Sequence, residues 1–367
     1  MAYTYIKKSL KMTGLYISYN QGGIFDQDGE KGISHLMEHL ICENIKQYMP
    51  ELTKYNIDWN AYTADNITVV HFTALDKYFT SDFKRKIVNA LISKLNVSEE
   101  RFEQEKAVVI QEYLDSFNNP TTCLNALRKH FNYYAPIGKL EDIQKFTYKQ
   151  AIEKFNKFYK NPANIIEIGP SKTDFSGIKY NDKLLVQPFK FKYKDDYKVE
   201  LQQTPNNEKS RILCVSKKIV KKSDYFPLLF SLNMLCGGLE SPMMTEIREK
   251  RHLTYGVHFG MTNSIDESIL YLTATTDKKN KNALIDAFKM FYEDIGKWLE
   301  KETFENHMLS THINVEENKI FQYEHPQKYM LKGYIGVGTS WKKVTYEKAM
   351  EVAKKYLTLD NMKIIEI

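Results

Sequence analysis

Apolar residues near the start of the chain fall at two spacings, and the switch between them predicts the first elements. Ile33, Leu36, Met37, Leu40 and Ile41 stand at i, i+3, i+4, i+7 and i+8, one face of a helix with 3.6 residues per turn. Leu15–Tyr19 and Thr68–Thr73 are short runs rich in β-branched and aromatic residues, the composition of strands. Further along, Arg211–Val215 and Ser268–Ala274 read as strands, while helices are predicted near 32–48, 80–95, 100–117, 223–236 and 280–300. Strands and helices mixed in this way favour α+β layers, a sheet with helices packed on one face.

The pattern then repeats. Thr147-Tyr148-Lys149-Gln150-Ala151-Ile152-Glu153 recurs as Thr345-Tyr346-Glu347-Lys348-Ala349-Met350-Glu351. Each copy runs on through a Lys-aromatic pair (Lys157-Phe158, Lys355-Tyr356) and an Asn (Asn164, Asn361) to a strand spelled Ile-Ile-Glu-Ile, at 165–168 and 364–367. Helix, turn and strand occur in that order twice, which predicts a duplication with the halves meeting near 170–195. A length of 367 residues agrees, because it exceeds what one ordinary core supports. Two homologous domains are expected, residues 1–180 and 181–367.

Composition narrows the class. Hydrophobic residues at 43%, charged residues at 27% and only 10 prolines describe a globular protein without linker-like tracts. The longest apolar stretch, Tyr225 to Cys236, is interrupted by Pro227, Ser231 and Asn233 and falls short of the ~20 residues a membrane span needs. The first residues show no basic region followed by an apolar run, so no secretory signal is read and a cytoplasmic location is expected. The net charge of +6 is diffuse: Lys190 to Lys198 also carries Asp195 and Asp196, and no nucleic-acid recognition motif accompanies it, so nucleic acid is not expected as a partner. Cys42, Cys123, Cys214 and Cys236 lie far apart with no C-x-x-C spacing, which predicts free thiols.

The candidate chemistry lies on the polar face of the first helix. At about 100° per residue, His35, Glu38 and His39 cluster opposite the apolar stripe, with the imidazoles one turn apart and able to share a tetrahedral ion. This is H-x-x-E-H, the inverted zincin motif. The plain alternative is a solvated helix face that happens to hold two histidines. A catalytic zinc needs three protein ligands and one open position. The helix from Glu99 to about Phe117 offers Glu103, Glu105 and Glu112, of which Glu105 and Glu112 lie seven apart and share a face; either could reach the metal.

The chain resembles the inverzincin family that includes pitrilysin, insulin-degrading enzyme and mitochondrial processing peptidase, over nearly its whole length. Gln21 to His39 resembles the family's strand, glycine turn and metal helix, and Asn60-Ala61-Tyr62-Thr63 resembles the edge strand to which substrate adds by backbone pairing. Gln104 to Glu112 resembles the helix that supplies the third ligand; Ile247 to Val257, after the glycine loop Leu235 to Leu239, resembles the family's Arg/Tyr segment. The resemblance implies a half-clamshell of two homologous domains, one Zn2+ per chain on His35, His39 and Glu112, and Glu105 behind them. It also implies Glu38 as general base, Asn60 and Ala61 on the substrate backbone, and Arg248 and Tyr255 as donors to the peptide.

An endopeptidase acting on unfolded peptides or leader segments is therefore expected. It would work as a homodimer, or as a heterodimer with a related subunit. A catalytically idle scaffolding or peptide-binding subunit is the alternative. Cys42-Glu43-Asn44 departs from the family's small Gly-Thr-type segment. Cys42 projects toward the metal face; a half-buried thiol is the expectation there, since the ligand set is already filled.

Overall fold

A computed structural model of the chain describes residues 3–9, 11–116, 126–181, 189–195, 208–320 and 340–367, with 326, 330–331 and 334–338 between. Cys123, part of the run from Lys190 to Lys198 and part of the 170–195 junction lie outside these residues. The chain forms two compact units: Met1–Ser116, Tyr134–Phe189 and Glu324–Lys332 make the first, and Phe117–Tyr133, Lys190–Tyr323 and Gly333–Ile367 the second. Each is an α+β structure.

The first unit is built on strands β1 (Tyr3–Lys7), β2 (Met12–Tyr19), β3 (Asp58–Thr63), β4 (Thr68–Leu75) and β5 (Asn164–Gly169), in the order β1-β5-β2-β4-β3. All neighbours are antiparallel except β1 and β5. Its helices are α1 (Ile33–Glu43), α2 (Met49–Lys54), α3 (Ser81–Ser93), α4 (Glu99–Ser116) and α5 (Tyr148–Lys154). The stripe Ile33, Leu36, Met37, Leu40, Ile41 is buried as its spacing requires, and α1 packs with it on β3, β4 and α4. Full burial of such side chains stabilises by about 1.5–3 kcal/mol each, so this face holds α1 in place firmly enough to position chemistry on the other.

The second unit repeats the plan with β6 (Lys209–Ser216), a two-residue β7 (Val220–Lys221), β8 (Val257–Asn263), β9 (Glu267–Asp277) and β10 (Met362–Glu366). Residues 271–274 of β9 pair with both β6 and β8, which places β8 on the flank opposite β6; the order β10-β6-β9-β8 is that of β5-β2-β4-β3. Helices α6 (Tyr225–Cys236), α7 (Lys281–Glu293), α8 (Lys301–Ile320) and α9 (Tyr346–Tyr356) follow the same sequence of elements. The repeated threonines do the same work: Thr147 Oγ1 accepts from Gln150 N at the start of α5, and Thr345 Oγ1 accepts from Lys348 N at the start of α9. α6 occupies the place of α1 in chain order but carries no His or Glu and is buried on most of its surface. It is a core helix.

Two predicted helices are shorter than their patterns. The helix expected over 32–48 ends at Glu43, because Asn44 leaves it to bind the chain elsewhere: its amide donates to Lys94 O (3.0 Å) and accepts from Asn96 N (2.8 Å). The helix expected over 280–300 ends at Glu293, followed by a tight turn at Ile295–Trp298. Among the described residues, no helix is long and apolar enough to cross a membrane.

Candidate metal centre

The site is assembled on α1 from its N-terminal end. No local side chain caps this helix; instead the buried carboxylate of Asp26 accepts from Gly32 N (3.0 Å), Ser34 N (3.3 Å) and Ser34 Oγ (2.5 Å). Gly32 enters the helix with φ of +100° and lies face to face with Gly138, φ +87°. A Cβ on Gly138 would sit 2.4 Å from the Gly32 Cα, so only glycine fits both the dihedral and the approach. These contacts fix the rotation of α1 about its own axis.

With that rotation set, His35 and His39 present their Nε2 atoms to Glu112 on α4. Glu112 Oε2 lies 3.4 Å from His35 Nε2 and 3.7 Å from His39 Nε2, and one ligand atom from each of the three lies within 4.8 Å of the others. Donors held 2.0–2.1 Å from a tetrahedral ion stand about 3.3–3.4 Å apart, so the set has the span of a zinc site. The imidazoles are 5.1 Å apart edge to face, and both are mostly buried, whereas the Glu112 side chain is 45% exposed. Glu105, two turns before Glu112, faces His39 from behind: its Oε2 lies 3.1 Å from Nδ1. An ionised carboxylate only accepts, which puts the proton on Nδ1 and leaves the Nε2 lone pair toward the centre.

The electrostatics suit a cation. Burial, reinforced by the neighbouring His39, pushes His35 down to about 4, so it is a neutral imidazole with a lone pair to give. His35 Nδ1 is buried without a hydrogen-bond partner among the described residues. Burial raises the pKa of Glu38, and the charge of Glu112 adds to this, while hydrogen bonds from the hydroxyl and backbone N–H of Thr63 work against it. Thr63 was not singled out by its sequence, although it closes the Asn60-Ala61-Tyr62-Thr63 segment at the end of β3.

The remaining candidates fall into place separately. Asn60 and Ala61 lie on β3, at the edge of the sheet, where Asn60 Oδ1 accepts from Ala61 N (2.8 Å). Cys42 is half-buried and is not among the clustered donors; burial and the charge of Glu38 push its thiol up. In the second unit, Arg248 sits on a π-helical turn (Met244–Lys250) with its guanidinium 4.8 Å from the ring centroid of Tyr255, and Tyr255 is 85% exposed. Two cationic and aromatic donors thus stand together on the surface of that unit.

Fold and site define the class: a duplicated α+β chain with two histidines and a glutamate that could hold a metal ion on the helices of its first unit. The chain belongs to peptidase family M16, the insulinase family. Residues 6–135 match the insulinase (peptidase family M16) model, and residues 145–309 match the peptidase M16 inactive domain. It is 23% identical over 363 residues to an uncharacterized zinc protease of Rickettsia felis, covering 90% of this chain and 83% of that protein. It is 27% identical over 168 residues to the zinc protease PqqE of Helicobacter pylori, covering 41% of this chain and 36% of that one. A crystal structure of a protease from Helicobacter pylori shares the fold with a TM-score of 0.76 at 18% identity, over 99% of this chain and 96% of that one. A peptidase M16 inactive domain from Pseudomonas fluorescens shares it equally, with a TM-score of 0.76 at 16% identity over 99% and 94%.

Proposed function

We propose that the chain is a zinc-dependent endopeptidase for unfolded peptides or leader segments, with one Zn2+ held by His35, His39 and Glu112. The observation that carries this reading is the convergence of those three donors within 4.8 Å, with Glu38 on the same helix as both histidines. Zinc there supplies Lewis acidity, polarising a peptide carbonyl and making water a competent nucleophile near neutral pH.

The chain's own residues do the rest. Glu38 accepts a proton from the attacking water on its carboxylate and delivers it to the leaving amide nitrogen. Thr63 aims that carboxylate. Glu105 holds the tautomer of His39. The β3 edge, with Asn60 and Ala61, pairs with the backbone of an extended peptide, which selects for unfolded segments over folded proteins. Arg248 and Tyr255 donate to the peptide carbonyls or to its C-terminal flank. We propose further that two copies associate, so that each site draws its metal residues from one subunit and its donors from Arg248 and Tyr255 of the partner subunit; a related companion subunit could take the same place.

Matching of the second half to an inactive domain supports a division of labour within the chain, since α6 carries none of the metal chemistry of α1. The idle-subunit alternative would need a defect in the first half, and the motif there is complete. Mass-spectrometric cleavage profiling of a diverse peptide mixture tests the reading. Cuts by the wild-type protein that disappear on chelation and in Glu38→Gln support it. A folded, zinc-loaded dimer that cuts nothing in the mixture removes the general-peptidase reading and favours the idle or peptide-binding subunit.

A further inference from the structure

The segment Cys42-Glu43-Asn44, where the sequence departs from its family, leads to an arginine that reaches the metal site through two carboxylates. Glu43 is the last residue of α1 and Arg101 lies in the first turn of α4, 58 positions later. Arg101 Nη2 donates to Glu43 Oε1 (3.2 Å), and its Nε lies 3.1 Å from Glu43 Oε2 without hydrogen-bond alignment. The same Nη2 also contacts Glu105 Oε1, one turn along α4. Glu105 then uses its other oxygen, Oε2, on His39 Nδ1. Both carboxylates are mostly buried, near 10% exposed, whereas Arg101 is 38% exposed at the rim. Lys46 adds a second cation on Glu43 (2.5 Å).

We propose that Arg101 is a positioning residue for the metal centre: by bridging Glu43 and Glu105 it fixes the plane of the Glu105 carboxylate against His39 and thereby raises the affinity of the site for zinc. This rests on the zinc reading above.

The physical argument has two parts. A guanidinium carries its donors in a rigid planar fork, so contacts to two carboxylates fix their directions more firmly than the freely rotating donors of an ammonium would. A buried carboxylate gripped on one oxygen only would turn about its last bond, and the hydrogen bond that sets the His39 tautomer would be lost for part of the time. Arg101 also ties the C-terminal end of α1 to the start of α4, the two helices that carry all three metal ligands. Charge balance points the same way. Glu38, Glu43, Glu105 and Glu112 place four carboxylates on or beside the site, and Arg101 touches two of them.

Zinc competition against a chromophoric chelator, at 25 °C on the folded full-length protein, tests this with a readout other than activity. Removing a histidine's own hydrogen-bond partner generally weakens metal binding by 10- to 100-fold. Arg101 acts one step further out, so Arg101→Met is expected to weaken zinc about three- to tenfold, and Glu105→Gln more strongly, as the same order of contacts requires. Should Arg101→Met fail to fold, Arg101→Gln, which keeps a donor but no charge, carries the same expectation. A purely structural role would lower the melting temperature of the metal-free protein and leave the dissociation constant within twofold; that result overturns the inference. His39→Ala is the control. If the wild-type protein and His39→Ala bind zinc equally weakly, the zinc reading itself fails, whereas tight wild-type binding unaffected by Arg101→Met removes only the role of Arg101.

Discussion

Glu105 Oε2 stands 3.1 Å from His39 Nδ1, on the side of the imidazole away from Glu112. One ring therefore meets two glutamates of the same helix, seven residues apart, with different atoms and for different ends. Nδ1 is engaged from behind and Nε2 is left facing Glu112, the orientation that the proposed metal role requires.

Metal binding should stabilise the first unit. A ligand at 100 times its dissociation constant adds about 2.7 kcal/mol to the state that binds it. Calorimetry should show the transition of the first unit rising by several degrees with zinc and falling back on chelation, with the second unit unmoved. His39→Ala should abolish the shift. A zinc-induced shift that persists in His39→Ala would place the ion elsewhere.

A second prediction concerns the interior of the first unit. Lys84 on α3 and Glu167 on β5 form an ion pair at 2.8 Å with both side chains almost inaccessible. Glu167 also accepts from Tyr3 Oη (2.5 Å), Thr173 N (2.8 Å) and Thr173 Oγ1 (2.7 Å). Lys84→Met leaves a buried carboxylate without its cation and should cost about 3–5 kcal/mol in chemical denaturation. The double change Lys84→Met with Glu167→Leu should recover much of that loss. A single variant as stable as wild type would show that the pair contributes nothing.

The second unit offers a pH-dependent counterpart. Asp224, at the start of α6, accepts from Lys355 Nζ (2.6 Å) and Tyr356 Oη (3.0 Å) on α9. Burial alone would raise its pKa, but these hydrogen bonds and the Lys355 charge outweigh it, and the carboxyl is held below the usual value. A carboxylate whose folded pKa is depressed contributes stability that is present above the unfolded pKa and is lost as pH falls through the folded one. Asp224→Asn should therefore destabilise the second unit by about 1–3 kcal/mol at pH 7. The gap from wild type should close as pH drops below about 4, where the unfolded carboxyl takes its proton. A gap independent of pH would mean that the side chain acts by shape and not by charge.

Much of this was legible in the sequence where the signal was local. The apolar stripe from Ile33 to Ile41 put His35, Glu38 and His39 on one face, and the threonines at 147 and 345 marked the two capped helices of the duplication. What the sequence hid depends on contacts between distant residues. Asp26 caps α1 from outside the helix, so no capping residue stands in the usual position. Spacing left Glu105 and Glu112 equivalent, because a seven-residue interval fixes a face but not a depth; one is mostly buried behind His39 and the other exposed at the centre. Arg101 reads as an ordinary surface residue until Glu43 and Glu105 are seen to meet it. β8 was legible and went unread: Val257, Phe259 and Met261 alternate with His258, Gly260 and Thr262 as the residues of a strand do.

The most direct test of the account is X-ray absorption at the zinc edge of the purified, zinc-loaded protein. The account predicts one zinc per chain with only nitrogen and oxygen neighbours at 2.0–2.2 Å, two of them imidazoles, and loss of the imidazole signature in His39→Ala. No stoichiometric zinc, or a sulfur neighbour at about 2.3 Å, would contradict it, the latter by bringing a cysteine such as Cys42 into a ligand set that excludes it here.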